Sequence, residues 1–137
     1  MFNMQNEDLK RYLKASFIKE LGINITDMQE DEAVGVLEVT EKMQNYMDYL
    51  HGGVIASLID TVAFFPGKLL PSGRKITTTG IEVKYFRPVN VGDVLTARAK
   101  IVHLGKKMGV IEVNVFNDSK KLVANGTVSV LTIQNKE

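Results

Sequence analysis

Apolar and polar residues recur with a helical period in the first half of this chain and alternate strictly in the second. Leu9, Tyr12, Leu13, Phe17 and Leu21 fall on one stripe at 3.6-residue spacing, which predicts a covering helix over residues 7–21. Asn6 can cap its start, Glu7 and Asp8 suit its positive end, and Gly22 can terminate it. Residues 33–40 (AVGVLEVT) read as a first strand. A loop rich in Met and Tyr follows over 41–50, then an apolar helix over 51–65. From there the period becomes two: residues 77–86, 93–104, 109–116 and 121–133 all alternate, separated by short turn signals at 88–92, 105–107 and 117–119. Short connections join antiparallel neighbours, so these four segments are expected to form a meander. The plan is α+β: one sheet and very few helices.

The helix over 51–65 is apolar on nearly every side, which predicts that the sheet curls around it and buries it. Pro66 and Gly67 stop it, because proline cannot continue the hydrogen-bond ladder. Asp60 is out of place on such a rod, since an unpaired buried carboxylate costs several kcal/mol. It belongs to a narrow polar stripe with Gly53, Ser57 and Thr61. The stripe begins at a glycine pair, Gly52-Gly53. Glycine lets a ligand approach the backbone, and the free N–H groups of a first helical turn suit developing negative charge. A structural alternative is that Asp60 bonds a backbone group or a basic residue. Gly52 and Asp60 are eight residues apart, about 12 Å along a helix at 1.5 Å per residue. An oxyanion donor and a nucleophile or base must both reach within about 3 Å of one reacting group. One helix cannot supply both, whereas two antiparallel helices across a twofold axis can. A catalytic reading therefore predicts a homodimer with two equivalent sites.

Composition narrows the chemistry. The chain of 137 residues carries 17 basic and 16 acidic side chains, a net charge of +1, which argues against a nucleic-acid footprint. It has no cysteine, so disulfides, thiolate catalysis and cysteine-ligated zinc are excluded. Two histidines, His51 and His103, do not make a histidine-rich metal site. The opening MFNMQNEDLK lacks the pattern of a signal peptide, and no apolar run approaches the roughly 20 residues of a membrane span. A single domain over 1–137, soluble and cytoplasmic, needing neither metal nor cofactor, is the expectation.

The stretches HGGVIASLIDTVAFF, IEVKYFRPVNVGD and GTVSVLTI resemble the hotdog-fold acyl-CoA thioesterases of the phenylacetate-degradation, HGG-containing type. The resemblance covers about residues 30–133. It implies a curled antiparallel sheet of five to six strands around a long central helix. It also implies hydrolysis of acyl-CoA thioesters, with coenzyme A present only as part of the substrate, and a homodimer that pairs into a tetramer. By the same resemblance, the Gly52 N–H polarises the thioester carbonyl, and Asp60 of the partner subunit acts as nucleophile or general base. His51 orients the thioester or the loop, Asn45 lies near the attacking water or acyl group, and a hydroxyl at Thr78 assists the acid. Thr77 and Thr79 flank Thr78, so its register is open. Gly53, Ser57 and Thr61 would line the substrate, and Arg87, Lys106 or Lys107 would meet the coenzyme A phosphates. One departure stands out: Asp48 occupies a position that is commonly glycine in the family.

Two other functions fit the same outline. One is a hotdog dehydratase or hydratase on acyl thioesters, which would carry a catalytic histidine in a His-Phe-Pro segment; this chain has none. The other is a non-catalytic acyl-CoA-binding module, against which the joint presence of Asp60 and the glycine pair argues.

Overall fold

The computed structural model describes residues 14–69 and 74–134, so the N-terminal part of the helix expected over 7–21, with Leu9, Tyr12 and Leu13, lies outside the described residues. Its C-terminal end is helix α1, Ser16–Leu21. Gly22 closes it in the left-handed conformation at φ 78°, donating its N–H to the Ile18 and Lys19 carbonyls. Strand β1 (Asn24–Met28) follows, then β2 (Glu32–Glu38), a 3-10 turn at Glu41–Met43 and the central helix α2, Gly52–Val62. After a second 3-10 turn, Gly67–Leu69, come β3 (Arg74–Tyr85), β4 (Val94–Leu104), β5 (Met108–Phe116) and β6 (Leu122–Gln134). Among the described residues no helix is long and apolar enough to cross a membrane.

All six strands form one antiparallel sheet in the order β1-β2-β4-β5-β6-β3. The expected four-strand meander is corrected here. Only β4, β5 and β6 are joined as consecutive neighbours, while β3 sits at the far edge beside β6. The turn read from sequence at 88–92 is instead part of a crossover over residues 86–93. Their backbone bonds trace the path: Phe86 N–H donates to Val123 O, Val89 O accepts from Leu50 N–H, and Gly92 N–H donates to Val39 O. Eight residues extend up to about 26 Å, which comfortably exceeds three strand spacings of about 4.8 Å. The crossover therefore passes over the N-terminal end of α2, and that passage builds the candidate site. Strand β1 was not expected from sequence, because its burial pattern lacks alternation and only Met28 is buried.

Helix α2 lays Ile55, Leu58, Ile59 and Val62 on the sheet, where they meet a core that includes Leu37, Leu95, Ala97, Ile111, Val113 and Val128. The sheet covers this side only. Val54, Ala56, Ser57, Asp60, Thr61 and Phe64 remain half-buried, so the expectation of a helix buried all round is corrected. Two strand glycines set how closely the helix approaches. A Cβ on Gly126 would lie 2.6 Å from Ile59 Cγ2, and one on Gly35 would lie 2.6 Å from Val62 Cγ2. Glycine inside a strand often marks such a close approach. Both methyls belong to β-branched side chains, whose χ1 is stiff in a helix, so they cannot swing aside.

Gly35→Ala is therefore expected to destabilise the fold by about 1–3 kcal/mol through overpacking. Val62→Ala should also destabilise it, by opening a cavity. The double variant should lose less than the sum, with a coupling on the order of 0.5–3 kcal/mol in urea unfolding. Simple additivity of the two losses would show that Gly35 does not seat the helix.

Candidate active site

Helix α2 begins with a nearly complete pairing of its first backbone groups. His51 is the N-cap in extended conformation, φ −65° and ψ 131°. Its ring Nδ1 accepts from Gly53 N–H at 2.8 Å. Its own N–H donates to Met43 O at 2.8 Å, and its carbonyl accepts from Val54 N–H at 3.0 Å. The Gly52 carbonyl accepts from the Tyr85 hydroxyl at 2.7 Å. Partial burial pushes the Tyr85 phenol above the usual tyrosine range, and a phenol is in any case a protonated donor at neutral pH. Among the described residues the Gly52 N–H has no partner. It is one of the orphan donors of a helix start, with the positive end of the helix dipole behind it.

The glycine pair has a local cause that sequence reasoning did not see. A Cβ on Gly53 would lie 3.0 Å from His51 Nδ1, and one on Gly52 would lie 3.2 Å from the Tyr85 ring. Each glycine makes room for a side chain of the same chain that bonds the helix start. Tyr85 carried the signal for this only indirectly. Ile76 and Val83 both pack on the core although Val83 stands seven positions after Ile76, an odd offset that strict alternation forbids. A bulge between Thr78 and Gly80 resolves the parity. It sets Ile76 and Thr78 on the helix-facing side before it, and Val83 and Tyr85 on that side after it.

The same bulge settles the threonine register. Thr78 donates its hydroxyl to Asp60 Oδ1 at 2.7 Å in a half-buried setting. Thr77 and Thr79 are exposed, and Thr79 donates to Ser129 O instead. Strand β3 thus holds α2 at two points, through Thr78 at Asp60 and through Tyr85 at Gly52. Asp60 is half-buried rather than deeply buried, so its desolvation is smaller than a fully apolar helix implied. Ser57 spends its hydroxyl on the Gly53 carbonyl, 2.8 Å away along the stripe, and Thr61 is half-buried on the same side.

Asn45 organises the loop before the helix. Its Oδ1 accepts from Met47 N–H at 2.8 Å and from Tyr49 N–H at 3.2 Å. Two donors on one atom identify it as the oxygen, which leaves the amide nitrogen as the group Asn45 can offer a ligand. Asp48 turns the loop at φ 67°, in the left-handed region. That conformation accounts for glycine at this position in the family pattern, and Asp is among the few other residues that enter it readily.

A cleft of about 380 Å³ opens at this end of the helix, lined by Asn45, Tyr49, Leu50, Gly52, Ile55, Tyr85, Phe86, Arg87, Pro88 and Val89. It gathers Asn45, Gly52 and the exposed Arg87. Asp60, Thr78, Ser57 and Thr61 do not line it. Lys106 and Lys107 lie on the β4–β5 turn and do not line it either. One protomer therefore presents two separate polar groupings, one at each end of the helix.

The arrangement has relatives. The sequence profile of the Thioesterase superfamily matches residues 47–124. The acyl-coenzyme A thioesterase PaaI of Escherichia coli is 37% identical over 106 residues, spanning 77% of this chain and 74% of that protein. A 1,4-dihydroxy-2-naphthoyl-CoA hydrolase of Listeria monocytogenes is 31% identical over 104 residues, spanning 75% of this chain and 84% of that protein. The solved structure of the E. coli PaaI protein superposes with a TM-score of 0.85 at 31% identity, covering 93% of this chain and 91% of that one. The family profile, the identities and the superposed sheet and helix agree: this chain belongs to the thioesterase superfamily and has the hotdog fold.

Proposed function

We propose that this protein hydrolyses acyl-CoA thioesters to the free acid and coenzyme A, at sites each assembled from two copies of the chain. The observation that carries the reading is the solitary Gly52 N–H in an otherwise paired helix start. In this account the thioester oxygen accepts from that N–H as negative charge gathers on it, and a preorganised donor of this kind lowers the barrier by roughly 3–4 kcal/mol. Asp60 of the second copy, held by Thr78, either adds to the carbonyl carbon or takes a proton from the water that does. The carbon–sulfur bond breaks and the thiolate leaves. Where water attacked, the acid forms directly and the proton held by Asp60 passes to the thiolate. Where Asp60 attacked, water then cleaves the acyl–Asp60 anhydride, releasing the acid and supplying that proton. Asn45 and Arg87 line the same cleft, where the Asn45 amide would offer a donor to the acyl group or water and the exposed Arg87 suits the phosphates of coenzyme A.

Two features support the shared site. The donor and the acid lie about 12 Å apart on one helix, too far to serve one carbonyl. The half-buried side of α2 that bears Asp60 lies beside β3, a twelve-residue strand at the edge of the sheet. Long edge strands are commonly covered in native assemblies. His51 separates hydrolysis from dehydration. Its Nδ1 lone pair is already engaged as the helix cap, so it is not the free histidine base a dehydratase needs.

Because the chain has no cysteine, a thiol reagent reads only released coenzyme A. A panel of acyl-CoA substrates should show thiol release, and Asp60→Asn should lower kcat by about 10²–10⁴-fold while acyl-CoA binding persists. Near-normal turnover by that variant would remove Asp60 from the mechanism.

Sharing of the site is tested by complementation. Gly52→Pro deletes the N–H at the first helical position, where helix geometry and the extended backbone of His51 accept a proline. Its ring must displace Tyr85, 3.2 Å from where a Cβ would stand, so the fold of the variant is checked first. Each variant alone should be inactive. Co-expressed in equal amounts, Gly52→Pro and Asp60→Asn chains should recover about one quarter of wild-type activity, since half the dimers are mixed and each holds one intact site. No recovery from verified mixed dimers would place donor and acid in the same subunit.

A further inference from the structure

Tyr85 lies in the site without being the donor or the acid. Its hydroxyl donates to Gly52 O, and the peptide unit that begins at that carbonyl ends at Gly53 N–H, which donates to His51 Nδ1. A continuous chain of hydrogen bonds therefore runs from phenol to peptide to imidazole, at 2.7 Å and 2.8 Å. The peptide is planar, so two bonds at its opposite ends fix its orientation. Glycine on both sides supplies no such restraint by itself, having no Cβ to limit its dihedrals. The Tyr85 ring also fills the space where a Gly52 side chain would stand.

We infer that Tyr85 is a positioning residue of the thioester site: it clamps the Gly52–Gly53 peptide, so that the free Gly52 N–H is aimed and His51 is held with its proton on Nε2. The inference rests on the proposed hydrolysis for its kinetic consequence, but its geometric content stands apart from turnover. Hydrogen bonds in series polarise one another, so the phenol strengthens the Gly53 N–H as a donor to the ring. The imidazole then keeps its Nδ1 lone pair directed at the backbone and turns an N–H outward.

Tyr85→Phe keeps the ring and removes the hydroxyl. With the thioester substrate that wild-type turns over best, kcat should fall about tenfold, the loss expected for one neutral hydrogen bond, while KM stays within about twofold. The chain has two histidines, so the ring nitrogens of His51 are readily assigned by long-range ¹H–¹⁵N correlation. Wild-type His51 should show an unprotonated Nδ1, and the variant should show mixed tautomers and faster hydrogen exchange at Gly53. Unchanged kcat, a rise in KM alone, or ring-nitrogen shifts identical to wild type would overturn the assignment. A wild-type protein that releases no thiol from any substrate would defeat the hydrolase reading alone, and the histidine spectrum would still decide the role of Tyr85.

Discussion

The start of helix α2 is where the constraints on this molecule converge. A helix N-terminus leaves backbone donors without partners, and this chain satisfies them selectively. His51 takes the Gly53 N–H, Tyr85 holds the Gly52 carbonyl, and Val54 closes the first turn on the His51 carbonyl. Among the described residues the Gly52 N–H is left over. Everything else of functional interest is placed relative to that group. The crossover of residues 86–93 passes the helix end and walls the cleft, the bulge in β3 brings Tyr85 to the glycine, and the seat formed by Gly35 and Gly126 fixes the depth of the helix on the sheet.

The second constraint is distance. Asp60 is tied to Thr78 at the other end of the polar stripe, outside the cleft that contains Gly52. A helix is rigid, so the two ends of one α2 cannot converge on one carbonyl, while two copies related by a twofold axis can exchange ends. Under the proposed function the half-buried side of the helix, unusual for so apolar a sequence, is the side that would meet the second copy, and its mixed character would follow from having both to pack and to carry a carboxylate.

Much of this was legible in the residues. Period and punctuation located the central helix and the four later strands to within a few residues, although the helix ends at Val62 rather than at the expected residue 65, and the position of Asp60 nine residues after His51 set the carboxylate well away from the glycine pair. What escaped sequence reading shares one physical origin, namely dependence on long-range pairing. Short turns imply adjacent strands, yet residues 86–93 cross the fold because β3 pairs with β6. Alternation predicts one face, yet the bulge after Thr78 exchanges faces, which is why Thr78, though named from the sequence, kept an open register and Tyr85 was not singled out. Strand β1 is amphipathic only in part and was invisible to a period-two search. The sequence reading of the glycine pair was incomplete: both glycines accommodate side chains of their own chain, and the backbone N–H without a partner among the described residues is that of Gly52, which begins the pair.

In the proposed mechanism the Gly52 N–H receives the thioester oxygen while the acid comes from a second copy. The most direct measurement is a crystal structure of the Asp60→Asn protein with an intact acyl-CoA bound. The account predicts Gly52 N within about 3.1 Å of the thioester oxygen, with residue 60 of the other subunit facing the carbonyl carbon. A thioester oxygen held by any other group, or residue 60 of the same chain at the carbonyl, would contradict it.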